Sequence, residues 1–179
     1  MHPTIRPILL FALFAPLVSL GQGEKDQADE EFFLPVTGRI TDGENKLEGC
    51  RIVTYDGNDV IAEFATDKSG KFEVRLGLNK QYGLEFHKDG FVPKRIVIDT
   101  RADVPAEHLM YVPLIMDISM LEEDKYEGVD TDVLDFPFAI VKYSKVVDAF
   151  VQDQEYTMGM QRTNGSLLLM AARAEKRKN

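Results

Sequence analysis

The stretch A-T-D-K-S-G-K-F-E-V-R-L at 65–76 decides the fold class. Asp67-Lys68-Ser69-Gly70 is turn chemistry, in which Asp ties its side chain to the following backbone and Gly accepts the left-handed conformation. Immediately after it, Phe72, Val74 and Leu76 alternate with Lys71, Glu73 and Arg75. A strict period of two puts every apolar residue on one face of a strand and every charge on the other. The segment therefore reads as a half-buried strand entered from a tight turn.

The same grammar extends in both directions. Upstream, Val36, Gly38 and Ile40 alternate with Thr37, Arg39 and Thr41, and Asp42-Gly43 ends the run. Cys50, Ile52 and Thr54 alternate with Arg51, Val53 and Tyr55, up to the turn Asp56-Gly57-Asn58, and Val60, Ala62 and Phe64 follow. Downstream, Tyr82, Leu84 and Phe86 alternate with Gln81, Glu85 and His87, and Asp89-Gly90 turns the chain. Ile96 and Ile98 alternate with Arg95 and Val97, and a last run covers Leu109 to Met116. Seven short strands with turns every 8 to 12 residues or so are expected of two packed antiparallel sheets, each with one apolar face. Residues 35–120 are thus read as a seven-stranded antiparallel β-sandwich. No run of helical period interrupts them, which argues against a βαβ fold.

Beyond the sandwich the composition shifts. Residues 121–135 carry Glu122, Glu123, Asp124, Glu127, Asp130, Asp132 and Asp135 and read as an acidic linker. Phe136 to Tyr143 reads as an extra strand, with Pro137 pointing to a sheet edge. That strand either pairs with a partner or closes the chain's own sheet, and self-closure is the preferred expectation. Asp153 is a plausible N-cap, so a helix is expected from about Gln154 toward Lys178, with Asn164-Gly165-Ser166 as a point where it breaks. Residues 136–179 therefore form an extra strand plus a C-terminal helix.

At the other end, Arg6 precedes an apolar run from Ile8 to Leu20, and Ser19 and Gly21 stand at the −3 and −1 positions of a cleavage site. Residues 1–21 read as a secretory signal, and 22–34 as a flexible leader. The apolar run is short for a membrane span, which needs about 20 residues. The chain is expected to be exported, periplasmic or associated with an outer membrane or the cell surface, with no integral membrane segment after cleavage.

The chain has 21 basic and 30 acidic residues, a formal charge of −9. Removing Arg6 with the signal leaves −10. Such a surface repels phosphate backbones and disfavours nucleic-acid binding. Arg173, Lys176, Arg177 and Lys178 are clustered at the end and read as cations complementing a helix C-terminus. The single cysteine, Cys50, admits no internal disulfide and falls at the inward phase of its strand, as a small buried hydrophobe does.

The pieces V-T-G-R-I-T-D at 36–42, L-E-G-C-R-I-V at 47–53, A-T-D-K-S-G-K-F at 65–72, Y-G-L-E-F at 82–86 and K-D-G-F at 88–91 together resemble the carboxypeptidase regulatory-like family, whose fold is transthyretin-like. The whole chain also resembles a group of small exported proteins of Bacteroidota. These end with a P-x-A-x-I-x-Y/F strand and a D-x-x-Y-T helix start, matched here by Pro137, Ala139, Tyr143, Asp153, Tyr156 and Thr157, with Val141 as a departure. The resemblance implies an envelope location and a structural or docking module, not a reaction.

The residues bearing chemistry agree with that expectation. A nucleophilic Cys50 has no histidine near it in sequence, and His87 falls at an outward position, as a solvated residue. His108 is the other histidine outside the signal. The hydroxyisourate hydrolases share the topology but need several groove histidines and a C-terminal Tyr-Arg-Gly-Ser, which this chain lacks. No zinc spacing, phosphate loop or Gly-x-Ser-x-Gly occurs. Asp130, Asp132 and Asp135 are the candidate calcium ligands, but Leu134 and the lack of a following Gly break the loop pattern, so the run reads as solvated charge. Tyr55, Tyr111, Tyr126 and Phe136 are the aromatics available to a glycan, though there is no Trp. The expectation is a non-catalytic interaction module without cofactor, whose partner is another envelope protein. The alternative is a glycan- or calcium-binding periplasmic protein.

Overall fold

A computed structural model describes residues 32–105, 109 and 113–178. The expected signal at 1–21, and the leader as far as residue 31, lie outside the described residues. Seven strands occupy the first part: β1 (Phe33–Thr41), β2 (Arg51–Asp56), β3 (Asp59–Ala65), β4 (Lys71–Gly77), β5 (Gln81–His87), β6 (Lys94–Asp99) and β7 (Leu114–Ser119). β1 starts inside the stretch read as leader, because Leu34 pairs with Leu76 and is buried. Two further strands, β8 (Ala139–Ser144) and β9 (Ala149–Gln152), and an α-helix, α1 (Gln154–Lys178), follow.

The strands form two sheets, ordered β4-β1-β7 and β3-β2-β5-β6-β8-β9. They share one core. Val36, Ile40, Val74, Leu76 and Ile118 from the smaller sheet pack with Ile52, Leu84, Phe86, Ile96 and Ile98 from the larger one. Each such fully buried side chain contributes about 1.5–3 kcal/mol relative to exposure. Phe72 and Phe86 meet edge to face across the sheets, with centroids 5.5 Å apart.

The expected all-antiparallel arrangement is corrected. β1 pairs with β7 in parallel, and β6 pairs with β8 in parallel, so both sheets are mixed. Alternation along a strand reports which face is buried and carries no information about direction. Direction follows from connections, and distant strands such as β1 and β7 are free to run either way.

Three expectations about the C-terminal part also change. The acidic stretch is not an open linker: it folds into short 3-10 helices at Glu123–Tyr126 and Asp132–Asp135. The extra strand, β8, is internal to its sheet, flanked by β6 and the unanticipated β9. Pro137 precedes it and so removes no ladder bond. Finally, α1 runs unbroken through Asn164-Gly165-Ser166. The hydroxyls of Thr163 and Ser166 donate to the carbonyls of Gly159 and Arg162 one turn back. The Asn164 side chain is held by Tyr126, so it does not compete with the helix backbone.

Asp153 caps α1 as expected. Its carboxylate accepts the Tyr156 N–H at 3.2 Å and its carbonyl accepts the Thr157 N–H at 3.0 Å. The helix turns Thr157 and Ala171 inward and leaves Met158, Leu169 and Met170 facing solvent.

Candidate functional site

A groove of about 340 Å³ lies between the lower ends of β6 and β7, the two 3-10 helices and the first half of α1. Several backbone links fix its walls. Val92 N–H donates to Leu121 C=O at 2.9 Å, and Glu123 N–H to Gly90 C=O at 3.0 Å. Phe138 N–H donates to Arg95 C=O at 2.7 Å. The Tyr156 hydroxyl donates to Pro137 C=O at 2.6 Å, which pins the helix start to the approach of β8. The lining is largely apolar, with Val92, Leu121, Leu134, Phe136, Phe138 and Met160. Lys94, Asp117, Ser119, Tyr126, Gln161 and Asn164 are its polar members.

Lys94 stands apart among these. It occupies the inward phase of β6, two residues before the buried Ile96. Its ammonium lies 4.8 Å from the centre of the Phe138 ring and donates to the Ser119 carbonyl. No carboxylate among the described residues forms an ion pair with it. Desolvation by the surrounding groups holds its pKa below the ordinary lysine value. Asp117, the acidic member of the lining, lies on the exposed phase of β7. Lys94 is therefore a half-buried cation with ammonium donors to spare, at the wall of an apolar groove.

On the opposite wall Tyr126 is buried, and its hydroxyl donates to the Asn164 side-chain carbonyl. Burial raises the phenol pKa. With its oxygen engaged, Asn164 keeps its amide N–H donors, for which no bond within the described residues is made. Gln161 lines the same wall one turn earlier on α1.

The residues singled out in the sequence fall elsewhere, with two exceptions. Tyr126 and Phe136 both line the groove; Tyr126 is buried there rather than exposed, and Phe136 is 62% exposed at the mouth. Tyr55 lies on β2, away from it, and His108 and Tyr111 lie outside the described residues. Cys50 is fully buried, and desolvation pushes its thiol pKa up to about 11. His87 is not freely solvated as expected. It is half-buried, with its Nε2 3.1 Å from Glu85, whose other oxygen lies 3.4 Å from Arg95.

Asp130 and Asp132 are neighbours: Asp132 N–H donates to the Asp130 carboxylate at 2.9 Å. The negative charge of Asp130 raises the Asp132 pKa, as facing carboxylates do. Among the described residues no group of three or more His, Cys, Asp or Glu is arranged to hold a metal ion. No helix among them is long and apolar enough to cross a membrane.

Sequence reasoning missed Lys94. The signal was present: a charged residue at the inward phase of the Lys94–Ile96–Ile98 alternation, where a lysine is rarely placed without a partner.

No protein-family model and no curated protein sequence matches the chain. Among solved structures it is similar to the pilus 2b backbone protein of group B streptococcus, at 15% identity over 49% of this chain and 40% of that one, with a TM-score of 0.35. It is similar to a DUF3823 family protein from Parabacteroides merdae, at 14% identity over 62% and 49%, with a TM-score of 0.33. It is likewise similar to catechol 1,2-dioxygenase from Acinetobacter, at 14% identity over 63% and 59%, with a TM-score of 0.38. In each case the overlap spans less than two-thirds of the neighbour's length. TM-scores below 0.5 carry neither fold nor function to this chain.

Proposed function

We propose that the protein is an exported, non-catalytic interaction module of the cell envelope, with its contact surface built by residues 121–178 on a rigid sandwich. One observation carries this reading. The segment after β7 is not a separate appendage: β8 extends the larger sheet, Ala139 and Val141 join the core, and the 3-10 helices and α1 roof an apolar groove on the sandwich. A surface built on a packed core is preorganised, so ordering costs little on binding.

The placement of reactive side chains favours binding over catalysis. The Cys50 thiol is sealed in the core and held protonated, which removes it as a nucleophile. The export component rests on the signal read at 1–21. A glycan-binding alternative draws on Phe136 at the groove mouth.

The test is cross-linking of tagged protein in its native envelope, followed by identification of what it captures. Deleting residues 121–179 is unsuitable, because it strips Ala139 and Val141 from the core. Single substitutions at the groove, Phe136→Asp and Met160→Glu, serve instead. One dominant protein captured by the wild type and lost with both variants is the expected result. Capture unchanged by both variants, or no protein above background, overturns the proposal.

A further inference from the structure

We infer that the groove receives the free C-terminus of a partner polypeptide, with the terminal carboxylate on Lys94 and an apolar last side chain against Phe138, Leu134 and Met160. The inference rests on the interaction-module reading and names the part of the partner that is held.

Charge complementarity selects the carboxylate. Lys94 Nζ spends one donor on the Ser119 carbonyl and faces the Phe138 ring. An ammonium has three donors, and no carboxylate among the described residues forms an ion pair with it. Holding a lysine in a partly desolvated, apolar surround is costly unless an opposite charge arrives, and a carboxylate bound there forms a charge-assisted pair in a medium that screens it weakly. Asp117 lies at the rim on the outward phase of β7 and leaves Lys94 as the cation of the interior wall.

The remaining lining fits a peptide. The volume is near the low end of the range of about 300–1,000 Å³ that accommodates small ligands, enough for a terminal side chain and little more. Gln161 and Asn164 present amides from one face of α1, three residues apart, and the Tyr126 hydroxyl orients the Asn164 amide. Amide side chains pair with the N–H and C=O groups of a peptide. The exposed ring of Phe136 marks the mouth, through which the rest of the partner chain leaves.

The experiment measures binding of the full chain to fluorescein-labelled pentapeptides with four randomised residues and a C-terminal Leu, Ile, Val, Met or Phe. Each is made as the free acid and as the amide. Free acids are expected to bind, and the amides to bind at least about tenfold more weakly, the loss of one charge-assisted contact. Lys94→Met is expected to abolish the preference for the acid, and Lys94→Arg to retain part of it. Phe136→Ala, a neutral change at an exposed position, is expected to weaken acid and amide alike.

Equal binding of acid and amide overturns the inference, as does absence of binding at millimolar peptide. Saturation by a small apolar acid such as phenylacetate, with no peptide binding, also overturns it and assigns the groove to a metabolite. Envelope capture that survives Lys94→Met while peptides fail to bind leaves the interaction-module reading standing without this inference. Peptide binding without any envelope partner does the reverse.

Discussion

The Tyr126 hydroxyl donates to the side-chain carbonyl of Asn164, joining the first 3-10 helix to the middle of α1 across 38 residues of sequence. The bond does two things at once. It satisfies a buried phenol, and it occupies the side chain of an Asn in mid-helix that otherwise competes for the backbone.

Tyr126→Phe is therefore expected to lower stability by about 1–2 kcal/mol, since it leaves the Asn164 carbonyl without its donor. Asn164→Ala alone is expected to cost less, because the better helix propensity of Ala offsets part of the loss. In urea denaturation the double variant is expected to cost less than the sum of the two single ones. Strict additivity would show that the two side chains do not act as a pair.

Cys50 supplies a second test. It is fully buried, and its thiol pKa is pushed up to about 11 by desolvation, so at pH 8 the folded protein presents almost no thiolate. A disulfide reagent such as DTNB is expected to leave the native protein unlabelled and to modify one thiol per chain after unfolding in urea. The labelling rate in native buffer then reports the opening of the core. Rapid labelling of the native state would place Cys50 outside the core and contradict the packing of β2.

The faces of β4 and β5 were legible, whereas β3 leaves Val60 exposed and β2 buries Val53 on the phase read as outward. Phe72, Val74 and Leu76 are all buried as their alternation requires, and so are Tyr82, Leu84 and Phe86. Strand direction was not legible, because alternation is identical in parallel and antiparallel pairs. β9 was missed for a different reason: four residues carry too short a pattern to register, and its turn depends on Asp148 at φ +52°, a conformation asparagine and glycine announce more clearly. The groove was hardest to see, since its walls come from five separate elements. Of its polar members only Tyr126 drew attention, as a surface aromatic, and the structure buries it. Lys94 was readable in principle, as a charge in phase with Ile96 and Ile98.

Gly38 is the position where the smaller sheet tolerates least. It faces inward on β1, opposite Phe72 on β4 and Met116 on β7. A Cβ there would meet the Met116 carbonyl oxygen at 2.0 Å and the Phe72 ring at 2.7 Å. Neither can yield without breaking the parallel ladder or the Phe72–Phe86 contact. Gly38→Ala is expected to destabilise by about 3 kcal/mol, the upper end of overpacking costs, and to lower the urea midpoint at an unchanged slope. A variant as stable as wild type would mean that β1 and β7 are not paired in this register.

The cap of α1 contributes to the pH dependence of stability, alongside Asp42, Asp67, Asp99 and Asp103, whose carboxyls are also held below the ordinary value. The Lys142 ammonium, 2.7 Å away, and the Tyr156 N–H hold the Asp153 carboxyl below its ordinary value of 3.8. A carboxyl whose pKa is lower in the folded state stabilises the fold above its unfolded value, and that contribution disappears as pH falls through the lower, folded one. Asp153→Ala is thus expected to lower Tm at pH 7, and the gap to wild type is expected to close as pH drops below 3.8. Asp153→Asn keeps an acceptor for the Tyr156 N–H but loses the attraction to Lys142, so it is expected to fall between the two at pH 7 and to recover part of the cap at every pH. Thermal melts of the three proteins followed by the helix signal, from pH 7 down to pH 3, separate the contributions. A gap between wild type and Asp153→Ala that stays constant through that range would show that the carboxylate charge plays no part in starting the helix.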